Sequence, residues 1–186
     1  MVWLLAGFGL IVLVYVVLAY NGLVKLRVMS DAAWADIDVQ LKRRHDLIPN
    51  LVETVKGYAA HERGTYEKVT EARTRAISAS GPAARALAEG GLTQALQSLF
   101  AVVENYPQLR AAENFAQLQT QISAIEDQIQ LARRFYNAVV RDFNTRIAQF
   151  PANLLAGLCG FQRREFFAAE GGEKDSPTVQ FDTPRA

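Results

Sequence analysis

The chain has 186 residues, half of them hydrophobic, with 20 Lys and Arg against 19 Asp and Glu for a net charge of +1. None of those charges lies between Met1 and Val24, which hold about 20 of the hydrophobic residues, so the rest is about 45% hydrophobic, ordinary for a soluble body. This division excludes a fully soluble protein, a multi-spanning membrane protein and a disordered chain; one cysteine, Cys159, excludes an internal disulfide framework, and the charge balance gives no general attraction to nucleic acid.

Residues 2–19 read VWLLAGFGLIVLVYVVLA, and twelve of these eighteen are Leu, Ile, Val or Phe. At about −0.3 to −0.6 kcal/mol each, they favour insertion by on the order of 4–7 kcal/mol. Roughly 20 helical residues cross a hydrocarbon core about 30 Å thick, and Trp3 and Tyr20 suit its two interfaces. A cleaved signal would carry a basic leading region and a small-x-small cleavage site. Neither is present, so residues 1–24 are expected to be a transmembrane anchor. Lys25 and Arg27 follow it directly, which places the body in the cytoplasm and the N-terminus outside. Gly7 and Gly9 are spaced G-x-G and give no support for a helix-dimer face within the membrane.

Past the anchor, Trp34, Ile37, Leu41, Ile48, Leu51, Val55, Tyr58, Val69 and Ile77 keep helical spacing. They predict one helix over about 23–77, kinked at Pro49 and able to continue directly from the membrane span. Pro82 opens a shorter alanine-rich helix over 83–104. Between Pro107 and Pro151 no Gly or Pro occurs, and Phe115, Leu118, Ile122, Ile125, Ile129, Ala132, Tyr136, Val139 and Phe143 step by three and four. That predicts a long helix with a coiled-coil-like seam. The apolar stretch Ala152–Phe167 is expected to cap one end. The class is all-α: a long antiparallel bundle of three or four helices over residues 25–169. Residues 170–186 read as a polar, flexible tail, in which Val179 and Phe181 are either a hydrophobic accident or a docking tag for a neighbouring subunit or partner.

Catalytic and metal signatures are weak. His61-Glu62 begins like a zincin motif, but Thr65 stands where the second His belongs. His45 lies sixteen residues from His61, on the far side of an ideal helix, so no metal or other cofactor is expected. Cys159, in Gly-Leu-Cys-Gly-Phe, reads as a packing residue and not a nucleophile. In the basic run Lys42-Arg43-Arg44-His45, Asp36, Asp38 and Asp46 dilute any nucleic-acid reading. Arg44 or His45 falls on the seam and needs a partner, with Glu113, Gln117, Gln121 and Glu126 as candidates on the long helix. A register-setting pair is the favoured reading over a ligand site.

The block Trp34 to Tyr58, with Asp38, Arg44, His45, Asp46, Pro49 and Asn50 inside it, resembles the LemA family. The likeness continues through Glu62, Asn105, Tyr106, Pro107, Glu126, Tyr136, Asn137, Asn144 and the closing Val179 and Phe181. It implies a bacterial inner-membrane protein with one N-terminal span and a long-helix bundle, and it brings no catalytic set. One branch of that family is associated with forming the magnetosome membrane, and its genes often sit near those of membrane proteases.

Three functions follow as expectations. The favoured one is a non-enzymatic homo-oligomer that organises or remodels the bilayer anchoring it. The second is an adaptor or regulator of another membrane protein, such as an envelope protease, docking through residues 43–50 or the tail. The third, an enzyme, needs His45 or Glu62 to act with a carboxylate across the bundle.

Overall fold

A computed structural model describes residues 1–59 and 61–168. The expected tail, with Val179 and Phe181, lies outside them. Among the described residues there are six helices and no strand: α1 Val2–Tyr58, α2 Arg63–Ser78, α3 Pro82–Val103, α4 Pro107–Arg110, α5 Glu113–Ala148 and α6 Ala152–Leu158. The fold is the expected helical bundle.

Helix α1 runs unbroken for 57 residues from the apolar stretch into the bundle, with Pro49 inside it on its exposed face. Its first part is long and apolar enough to cross a membrane, with mean hydropathy 2.7 over an 18-residue window of which 6% is buried. Further along, Leu23, Ser30, Ile37, Arg44 and Leu51 are all buried, one every seventh residue. Phe115, Ile122, Ile129, Tyr136 and Phe143 repeat the same step on α5. Two helices with matching seams bury them together when they run antiparallel, and Tyr136 duly meets Trp34 while Phe143 joins the Leu23 cluster.

The single helix expected over 23–77 is corrected. It stops at Tyr58, and α2 folds back along α1, so that Arg73 Nε donates to the His45 carbonyl at 2.8 Å. Gly57 and Gly64 weaken helix propensity around the break. The reversal lets Val69, Ala72 and Ala76 join a core with Leu92, Leu96 and Leu99 of α3, apolar surface that a straight helix would leave in water. Tyr58 and Ile77, read as seam residues, stay about half exposed as a result. Helix α3 then returns alongside α2 from Gly81, whose φ of 84° suits a residue without Cβ.

Away from the apolar N-terminal stretch the bundle is thus four helices thick, and near it α1 and α5 form a two-helix stalk. Beyond α6, residues 161–168 run back along this stalk, and Phe167 is buried against Trp34 and Tyr136. The expected cap is therefore a short helix followed by an extended strap.

Candidate functional site

Arg44 occupies one of the seventh-residue positions of α1 and is 1% exposed. A buried guanidinium demands acceptors on every side. It donates to Glu89 of α3 and to Glu126 of α5, and its Nη1 also reaches Thr93 Oγ1 at 3.0 Å. One side chain therefore ties three helices together. His45, also buried, sets its Nε2 2.9 Å from Glu89 Oε1 but off the axis of a good hydrogen bond, so the pair attract chiefly through charge when the ring is protonated. Glu126 was among the partners expected on α5; Glu113, Gln117 and Gln121 lie on its exposed surface. Glu89 was not anticipated, because the expected straight helix over 23–77 gave no reason for α3 to face Arg44.

Burial alone would raise the Glu89 carboxyl. The contact with His45 and the charge of Arg44 outweigh it and hold the group below its ordinary value. A lowered carboxyl stabilises the fold above the pKa of the unfolded chain, and that contribution is lost as pH falls through the lower folded value. Thermal unfolding in detergent followed by circular dichroism should show Tm dropping below about pH 4.5. Glu89→Gln should start lower at pH 7 and lose less on acidification; an equal loss in both proteins would remove Glu89 as the cause.

Other motif side chains make cross-bundle contacts too. Asp38 receives Arg85 of α3 at 2.6 Å, and Glu62 accepts from the Tyr106 hydroxyl at 3.1 Å where Pro107 opens α4. Trp34 packs on Tyr136 and Phe167 with ring centroids 5.5 and 5.8 Å away. The Tyr136 hydroxyl donates to the Glu165 carbonyl; burial pushes its pKa up against the opposing charge of Arg164. Asn137 clasps the backbone N–H and C=O of Phe167, and Asn144 does the same for Arg164. Asp46, Pro49, Asn50, Tyr58 and Asn105 instead lie on the surface.

Of the two residues on which an enzymatic reading turned, His45 does meet a carboxylate across the bundle, the buried Glu89, whereas Glu62 meets the Tyr106 hydroxyl at another level. Among the described residues no three His, Cys, Asp or Glu side chains converge as metal ligands would. The packing role expected for Cys159 is corrected: the thiol is exposed at the end of α6, because its apolar neighbours Leu154 and Leu158 themselves point outward.

The sequence model of the LemA family matches residues 33–181. Magnetosome protein MamQ 2 of Paramagnetospirillum magneticum is 30% identical, over 86% of this chain and 68% of its own length. Magnetosome protein MamQ of Magnetospirillum gryphiswaldense is 28% identical over the same shares. Protein LemA of Metamycoplasma hominis is 29% identical over 62% of this chain and 53% of its own.

Proposed function

This chain belongs to the LemA family, and from that premise we propose that it is a non-enzymatic scaffold of the bacterial inner membrane that self-assembles and organises or remodels the bilayer holding it. The observation that carries this reading is the continuity of α1. A span that runs into the bundle without a linker passes force and orientation between bilayer and body, which a tethered enzyme does not need. The Arg44 cluster supports the same reading, because Arg44, His45 and Glu89 are buried and Arg44 pairs with the two carboxylates across the bundle, leaving no open cleft for a substrate. For lateral contact, Leu131 and Phe135 stand one turn apart on α5, each about half exposed. The similarity to magnetosome proteins agrees with a role at a membrane. Positive charge at Lys25 and Arg27 supports a cytoplasmic bundle.

The test is the oligomeric state in lipid nanodiscs. Discrete oligomers are expected, weakened by removing Val179–Ala186 and by Leu131→Ser with Phe135→Ser. A monomer at all concentrations sinks the proposal. A second reading, an adaptor for another membrane protein, draws support from Asp46, Pro49 and Asn50, which present an outward face on α1. Crosslinking from Asn50 in cells separates the two: self-contacts alone count against the adaptor.

A further inference from the structure

Along α1 every residue from Val2 to Leu18 is exposed, and the first buried one is Ala19. The bundle therefore begins inside the apolar stretch, and α6 with its flanks lies at that level. Ala156 of α6 shares a buried cluster with Leu23 and Phe143, and the Phe161 ring sits 6.0 Å from that of Tyr20. A hydrocarbon core of about 30 Å takes up roughly 20 helical residues, so a span starting at Val2 ends near Asn21. Whatever packs on Ala19 and Tyr20 meets the membrane surface.

What packs there is built for such a place. From Ile147 to Gln162 sixteen consecutive residues carry no charge, the longest such run after Val24, with Arg146 before it and Arg163-Arg164 after it. Ala152 and Ala156 face the stalk, while Phe150, Leu154 and Leu158 are 79%, 61% and 87% exposed. Three large apolar side chains turned into water on α6 and the turn before it are unfavourable. Beside them a groove of about 320 Å³ is lined by Arg27, Arg163 and Arg164 with Phe143 and Phe161. Arg164 is paired with Asp31 at 2.6 Å, whereas Arg27 and Arg163 form no ion pair among the described residues. Apolar side chains rimmed by cations match a bilayer interface, with acyl chains below and phosphates above.

We propose that α6 is a second membrane contact: Phe150, Leu154 and Leu158 seat in the interfacial layer of the lipid bilayer beside the span, with Arg27 and Arg163 at headgroup phosphates. Two contacts on one rigid stalk fix its tilt and rotation, which a lone span leaves free. The proposal rests on residues 2–19 crossing the bilayer but not on self-assembly.

The native Cys159, exposed at the end of α6, is the probe. The full chain is placed in vesicles of phosphatidylethanolamine and phosphatidylglycerol, and Cys159 carries a polarity-sensitive fluorophore. Nitroxide lipids labelled near the headgroup should quench it, and aqueous iodide should not. In a Cys159→Ser background, Leu10→Cys reports the span. Thr74→Cys, exposed and roughly 35 Å further along the bundle, should be quenched by iodide alone. Combining Phe150→Ser, Leu154→Ser and Leu158→Ser should abolish lipid quenching at Cys159 with helicity kept. Iodide quenching of Cys159 while Leu10→Cys is quenched by lipid overturns this contact and leaves the anchor standing. Failure at Leu10→Cys overturns the anchor and the contact together. Equal lipid quenching at Thr74→Cys, or retained quenching in the triple variant, also rejects the assignment to α6.

Discussion

Arg44→Met is expected to lower stability by about 3–5 kcal/mol, the usual result of removing one partner of a buried charge group. For a chain of this size that corresponds to a fall in Tm of roughly 6–20 °C. Little of this comes from the ion pairs themselves, whose attraction is offset by the desolvation of every member. It comes from Glu89, 5% exposed, which loses its guanidinium and is left among apolar neighbours with His45. Glu126 has a quarter of its side chain exposed and can turn to water, so Glu126→Gln should cost less. The triple change Arg44→Met, Glu89→Met and Glu126→Met should recover most of the loss, because no buried charge then lacks a partner. Circular dichroism melts in one detergent compare the variants. If Arg44→Met melts with the unaltered protein, the cluster is not what holds the three helices in register.

The cluster also shows where sequence reasoning stops. That Arg44 or His45 is buried was legible, because one of them must fall on the seam between Leu41 and Ile48; which one was not, and in the fold both are buried. That Glu126 is a partner was legible among four candidates, since α5 had been recognised as the long antiparallel helix. Glu89 was hidden behind one error, the straight continuation past Tyr58. Helical periodicity persists through Val69 and Ile77 whether the chain continues or folds back, because a hairpin of helices keeps the same period in each arm. Only weak signals, Gly57 and Gly64, mark the reversal, and the stronger breaker, Pro49, breaks nothing. Cys159 failed for a related reason. Apolar neighbours predict burial, but they do not say whether protein or lipid covers them.

Phe167→Ala is the second large effect expected, about 3–5 kcal/mol for truncating a buried Phe, and its readout should be local. Phe167 is 2% exposed, packs at a tilt against Trp34 and lies under the Arg133 guanidinium at 5.3 Å. The strap that carries it is held by Asn137 and Asn144, each bonding one N–H and one C=O of the extended chain at 2.9–3.1 Å. The spacing explains why two asparagines suffice. Seven residues of helix advance about 10.5 Å, and the three residues from Arg164 to Phe167 span about 10 Å when extended. One heptad of α5 thus matches one three-residue step of the strap, and the amides grip it at equivalent points. Without the ring the strap keeps these bonds but loses its apolar seat, so Trp34 becomes wetter. In a Trp3→Phe background, Trp34 emission should shift to longer wavelength well below the denaturant concentration that melts the helices. Asn137→Leu should give the same shift at a smaller cost, about 1–3 kcal/mol, because the Phe167 carbonyl and N–H lose their partners while the ring remains. Coincident transitions by fluorescence and circular dichroism would mean that strap and stalk unfold as one unit, and the strap would then be a full part of the core.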